Sequence, residues 1–219
     1  TYFPSIALHS ISPVSAPASG GTQIYFFGKL FFNGPSSFAT CRFGDQSVVA
    51  KVLNESTLVC NSPTLPTGEF RVTTVEVSMN GVDYTNSSVH FTYRPRAVVL
   101  TVSPTYVPLR GGSVLTIRGT HFVSSSYLAC RFGSVVVSAT FLSSSAILCV
   151  TPPNQAAGNV FIFVTNNGID YSSAQNVHVA YYEKISIQTM YPTHGPLSGG
   201  TVLALNVSHM VDTGRLHCS

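Results

Sequence analysis

Cys41-Arg42-Phe43-Gly44 returns unchanged as Cys130-Arg131-Phe132-Gly133, about ninety residues further along the chain. The flanking sequence keeps the same step. Downstream, Leu58-Val59-Cys60 with Pro63 beyond it is matched by Leu148-Cys149 with Pro152 and Pro153. Upstream, Ile11-Ser12-Pro13-Val14 and then Gly20-Gly21-Thr22 are matched by Val102-Ser103-Pro104-Thr105 and Gly111-Gly112-Ser113. A third opening follows at Met190-Tyr191-Pro192-Thr193 and Gly199-Gly200-Thr201. Self-similarity at a long fixed period is the mark of tandem structural modules, so each repeat is expected to fold as one unit.

The register of the repeat sets the expected boundaries. Thr1-Tyr2-Phe3-Pro4 lines up with Thr92-Tyr93-Arg94-Pro95, so residues 1–6 read as the last strand of a preceding module. Module 1 spans 7–94, module 2 spans 95–182, and 183–219 read as the N-terminal part of a truncated third. The sequence is therefore expected to be a segment of a longer repeat protein.

Composition narrows the class. Charged residues are 9% of the chain, against about 25% in ordinary domains, and hydrophobic residues are 44%. There is no Trp, and Ser plus Thr supply roughly a quarter of the positions, well above ordinary usage. Polarity here comes from hydroxyls and amides rather than ions. The net charge of +3 is spread over scattered Lys and Arg, which gives no electrostatic footprint for nucleic acid. No apolar run is long enough for a membrane-spanning helix.

The five cysteines follow the repeat. Cys41 with Cys60, and Cys130 with Cys149, form candidate disulfide pairs; Cys218 has its expected partner beyond the end of the sequence. Each pair would close a loop of about nineteen residues and contribute on the order of 3 kcal/mol. Buried free thiols are the alternative. Zinc fits poorly, because no Cys-x-x-Cys or Cys/His cluster supplies four ligands. Disulfides would imply an oxidising compartment. Sequons at Asn54, Asn86 and Asn206 point the same way, whereas Asn61-Ser62-Pro63 is spoiled by its proline.

Local patterns are those of short strands. Residues 22–27, 47–53, 70–78 and 89–93 of the first repeat, and 113–118, 134–141, 160–164 and 177–181 of the second, are β-branched-rich or alternate with period two. Asn80-Gly81 and Asn167-Gly168 sit between the last two strands, where a tight hairpin wants positive φ. The paired glycines ahead of the second strand permit a sharp bend and close backbone approach. Pro13, Pro104 and Pro192 lie beside the first strand, which restricts it to an edge or a bulge. No segment holds a helical period over three turns. Six or seven short strands in about ninety residues indicate a β-sandwich of immunoglobulin type, repeated end to end.

These residues resemble a known family. The two glycines after a Pro-rich opening, then Cys-x-Phe-Gly, then (Leu/Val)-x-Cys-x-x-Pro, then Asn-Gly-x-Asp-Tyr, then Phe-x-Tyr, are similar to the IPT/TIG immunoglobulin-like domain. The version with both cysteines resembles those of extracellular multi-IPT proteins, including plexins and fibrocystin. Tyr106-Val107-Pro108-Leu109 lacks a glycine before its second proline, and Ala16 stands at that place in module 1; both are loop departures. The resemblance implies all-β sandwiches in tandem. It also implies roles as receptor stalks, adhesive or filament modules, or intracellular DNA-contacting domains.

Catalysis finds no constellation. The eight acids are scattered, and Asp83 and Asp170 occupy equivalent turn positions. There is no His-Glu-x-x-His and no Gly-x-Ser-x-Gly. No enzyme activity, cofactor or metal is therefore expected. The leading expectation is a non-catalytic structural or adhesive segment of a large secreted or cell-surface glycoprotein. It would form a semi-rigid rod packing into an extracellular fibre, coat or adhesion assembly, with self-association or other extracellular subunits as partners. Tyr25, Phe27, Phe31 and Phe32 form the candidate interaction patch, with the reservation that part of this aromatic set belongs to the core. No nucleic acid and no membrane contact within the segment are expected. The alternative is the ligand-binding stalk of a plexin-like receptor, which a flanking membrane span would decide. An intracellular DNA-binding protein would need basic loops, and a carbohydrate-binding module would need exposed aromatic platforms.

Overall fold

A computed structural model describes residues 5–32, 38–66, 70–173 and 176–210, and among these residues it contains strands and no helix. Residues 211–219, with Cys218 among them, and the first four residues lie outside the described residues. The chain divides into two compact units. One holds Thr1–Val98 with His121–Leu128 and Thr165–Ser172; the other holds Val99–Thr120, Ala129–Val164 and Ser173–Ser219.

In the first unit the strands are β1 (Ala7–Ser12), β2 (Ser15–Pro17), β3 (Gln23–Lys29), β4 (Thr40–Phe43), β5 (Gln46–Val49), β6 (Lys51–Asn54), β7 (Thr57–Asn61), β8 (Arg71–Ser78) and β9 (Val89–Arg94). They form two sheets, ordered β1-β3-β7-β6 and β2-β9-β8-β4-β5. Period-two alternation turns Ile24 and Phe26 of β3, Leu58 and Cys60 of β7, Cys41 and Phe43 of β4, Val75 and Val77 of β8, and Phe91 and Tyr93 of β9 into one core. Phe26, Phe43, Phe91 and Tyr93 meet edge to face in sequence, with centroids 5.8, 5.3 and 5.0 Å apart. This is the arrangement the ring quadrupoles favour. The Cys41–Cys60 disulfide ties β4 of one sheet to β7 of the other, with Cα atoms 6.4 Å apart.

Proline and glycine do what their positions suggest. The opening strand changes sheets across the cis Ser12-Pro13 peptide: β1 pairs antiparallel with β3, and β2 pairs parallel with β9. Both pieces are edge strands, where a missing N–H is tolerated. Gly20 has φ +69°, and a Cβ there would stand 2.7 Å from the Thr64 amide nitrogen. Its equivalent Gly111 has φ +71°, with a Cβ position 2.6 Å from the carbonyl carbon of Pro152.

Two local expectations are corrected. Residues 47–53 do not form one strand; the chain breaks at Ala50, whose amide donates to the Ala39 carbonyl (2.9 Å), so β5 and β6 join different sheets. Asn80-Gly81 also makes no direct tight hairpin into the last strand. Its turn closes on a single Ser78–Tyr84 bridge, and the chain then travels through 85–88 before β9 begins.

In the second unit the strands run β10 (Val98–Ser103), β11 (Tyr106–Pro108), β12 (Val114–Thr120), β13 (Ala129–Phe132), β14 (Val135–Ser143), β15 (Ala146–Val150), β16 (Gly158–Thr165) and β17 (His178–Tyr182). Here β14 is unbroken. Its first half pairs with β13 and its second half with β15, so the pairing is continuous as β10-β12-β15-β14-β13-β16-β17-β11. Leu115, Ile117, Cys130, Phe132, Ile147, Cys149, Ile162, Val164, Val179 and Tyr181 are buried. Cys130–Cys149 repeats the first bridge with the same Cα separation, 6.4 Å. The Tyr181 hydroxyl donates to the Pro152 carbonyl (2.9 Å). Strands β18 (Ser186–Tyr191) and β19 (Ala204–Ser208) form a separate two-stranded sheet, with β18 exposed along its length.

Leu30, His121 and His209 directly follow β3, β12 and β19 and share left-handed φ values of 63°, 62° and 57°. Histidine tolerates this region better than most residues, while the first repeat holds it with leucine.

Candidate interaction face and modification sites

Two surfaces of the first unit carry chemistry beyond the core. The first is the outer face of the β1-β3-β7-β6 sheet. Alternation along β3 turns Gln23, Tyr25 and Phe27 away from the core, and Tyr25 stands opposite Val59 in the ladder. Phe27 is 40% exposed and Phe32 49%, whereas Tyr25 is half-buried and donates its hydroxyl to the Gln23 side chain (3.1 Å). Phe31 does not belong to this face: it is fully buried. The left-handed turn at Leu30 folds the chain back, the Phe31 amide donates to the Glu55 carbonyl (2.9 Å), and its ring fills the space left by Gly28. Leu30 itself is exposed.

The second surface is the outer face of the other sheet. Arg42 on β4 stands opposite Glu76 on β8, and the Arg42 guanidinium lies 4.1 Å from the centroid of the Tyr84 ring. The Tyr84 hydroxyl hydrogen-bonds Thr40 (3.0 Å) and Ser47 (3.2 Å). Those bonds, Ser47 first and Thr40 next, hold its pKa below the ordinary phenol value; burial opposes them and the Arg42 charge assists. Glu76 is 7% exposed. Its carboxylate accepts from the Thr85 hydroxyl, the Ser87 amide (3.2 and 3.3 Å) and the Ser87 hydroxyl (3.2 Å). A carboxylate withdrawn from water needs such donors, and together they fix the 85–88 segment.

Asn80 explains the Asn-Gly-x-Asp-Tyr motif. Its side-chain oxygen accepts from the Val82 and Asp83 amides (3.0 and 2.8 Å), and its side-chain nitrogen donates to Asp83 (2.7 Å). Asn167 makes the same bonds to Ile169 and Asp170 (3.1, 2.9 and 2.7 Å). Asp83 and Asp170 thus hold turns, as their equivalent placement suggests.

All three sequon asparagines are exposed. The Asn54 side-chain oxygen accepts from the Ser56 amide and hydroxyl (both 2.9 Å) at the end of β6. Asn206 lies on β19, and Asn86 projects from the segment that Glu76 fixes. Among the described residues no group of three His, Cys, Asp or Glu side chains could hold a metal, and no helix is long and apolar enough to cross a membrane. Arg42, Glu76 and Tyr84 were not singled out as a site from the sequence. The available signal was a break in the repeat: Glu76 stands between Val75 and Val77 where the second repeat has Phe163, over which Arg131 stacks at 4.7 Å.

The comparisons with known proteins agree with this frame. The IPT/TIG domain family matches residues 7–93 and 97–181. Fibrocystin-L of Mus musculus is 24% identical over 204 residues, which cover 92% of this chain and 4% of that protein. A solved structure of the full extracellular region of plexin A4 superposes with a TM-score of 0.54 at 20% identity, covering 86% of this chain and 16% of the other. The chain therefore spans only a small part of the proteins it matches. Two family matches in register, on two bridged sandwiches with the same turns, place this chain in the IPT/TIG domain family.

Proposed function

We propose that the chain is a non-catalytic structural or adhesive segment of a large secreted or cell-surface glycoprotein. The observation that carries the proposal is the tandem bridged frame itself: one disulfide per sandwich, at the same strands, in both repeats. Bridges of this kind persist in oxidising compartments. The extracellular plexin A4 region, similar in fold, supports the same location. Exposed sequon asparagines support N-linked glycans at Asn54, Asn86 and Asn206.

The module's role in this reading is mechanical. Few residues separate β9 from β10, and Pro95 restricts the backbone of that link. Phe27 and Phe32, with Tyr25 beside them, form the contact face for a second copy or another extracellular subunit. The role as a ligand-binding stalk of a plexin-like receptor is the second reading, supported by the same fold likeness. Light scattering of the secreted chain over a concentration series tests the first. A mass that rises with concentration supports lateral packing, and a monomer at every concentration counts against it.

A further inference from the structure

We propose that the groove on the outer face of the β2-β9-β8-β4-β5 sheet is the seat of the first sugar of an N-glycan on Asn86. The inference rests on the reading above that the chain passes through the secretory pathway. The groove is lined by Arg42, Thr74, Glu76, Val82, Tyr84 and Asn86, with Thr85 and Ser88 completing it, and its volume is about 460 Å³. That is within the range of sites that hold small molecules. The sequon asparagine is part of the wall, so a sugar attached there is tethered beside the groove at high effective concentration.

The chemistry of the lining suits a pyranose. Such a ring has an apolar C–H face and a rim of hydroxyl and acetamido groups. The groove is open and mostly polar; Val82, 77% exposed, and the half-buried Tyr84 ring supply the apolar surface on which C–H groups gain dispersion contact. Arg42, Thr74 and Ser88 are among the lining residues and carry hydrogen-bonding groups suited to the rim. Tyr84 stands two residues before Asn86, and its ring is held by Arg42 on one side and by Thr40 and Ser47 at its hydroxyl. A platform so fixed loses little freedom when a sugar packs on it.

Glu76 supplies the second observation. It binds Thr85 and Ser87, the residues on either side of Asn86, and so fixes the attachment point while Asn86 itself stays exposed. The second repeat has Phe163 at the place of Glu76 and Ser173 at the place of Asn86, so the carboxylate and the sequon occur together in one repeat and are both missing from the other. Asn54 and Asn206 have Val52 and Ala204 two residues earlier, where Asn86 has the aromatic ring of Tyr84.

The test uses the whole 219-residue chain secreted from a eukaryotic cell. Wild type should melt about 3 °C or more above Asn86→Gln. Trimming to a single sugar with an endoglycosidase should keep that gain, and Asn206→Gln, at an exposed sequon with no aromatic ring two residues earlier, should leave the melting temperature unchanged. In a Tyr84→Ala background, adding Asn86→Gln should no longer change the melting temperature. Should Tyr84→Ala fail to fold, the wild type answers alone: NMR should show ring-current shifts on the Asn86-linked sugar and none on the Asn54-linked sugar. An unoccupied Asn86, or a sugar there with neither a thermal gain nor shifted protons, overturns the proposal. Glycan on Asn54 in that same material would leave the secretory reading standing, and bare asparagines at all three sequons would remove both.

Discussion

Gly20 and Gly111 show how single residues carry the repeat. Each holds a left-handed φ and sits against the backbone of the segment that follows the second cysteine of its module, at Thr64 and Pro152. Alanine would bring both a strained backbone and a Cβ inside contact distance. Gly20→Ala and Gly111→Ala should therefore each destabilise their own sandwich by about 1–3 kcal/mol, read as a lower urea midpoint at unchanged slope. Tyr93 makes a pH-dependent statement at the same scale. Burial, opposed by the charge of Arg71, pushes its hydroxyl up to about 12 from the ordinary 10.0. The folded chain thus keeps a proton that the unfolded chain releases. The stability linked to Tyr93 is complete below the unfolded value and is lost as pH rises from there through the folded value of about 12. Denaturation followed across that window should show the wild type losing stability more steeply than Tyr93→Phe; parallel curves would contradict the account.

At the scale of elements, the bridge between β4 and β7, repeated between β13 and β15, constrains the unfolded chain more than the folded one. Replacing Cys41 and Cys60 together by alanine should cost the first sandwich on the order of 3 kcal/mol while leaving the second transition in place, measured by denaturant melts resolved by hydrogen exchange. Strands were the most legible part of the sequence, because alternation and β-branched residues report directly on a half-buried ladder. Places where one backbone bond decides the outcome were not legible. Ala50 splits a run that reads as a single strand because its amide turns to Ala39, whereas the equivalent run in β14 continues. Asn80-Gly81 reads as a hairpin, yet the side chains of Glu76, Thr85 and Ser87 hold the following segment in place of a regular ladder. Phe31 and Phe32 are neighbours of identical chemistry, and only the left-handed turn at Leu30 decides that the first enters the core and the second faces water. The outer-face cluster of Arg42, Glu76 and Tyr84 depends on residues far apart in sequence meeting across strands, which periodicity alone does not reveal.

For the whole molecule, low charge and exposed apolar residues make lateral contact the economical reading of the surface. Phe27→Ser with Phe32→Ser should weaken any concentration-dependent association of the secreted chain without lowering its melting temperature by more than a few degrees, since both rings stand outside the core. Everything larger depends on the compartment in which the sandwiches fold. Peptide mapping of natively secreted material without reduction, with glycan analysis of the same peptides, tests that most directly. The account expects Cys41 joined to Cys60, Cys130 joined to Cys149, and sugar on Asn86. Unbridged thiols at these four cysteines together with bare sequons would contradict it.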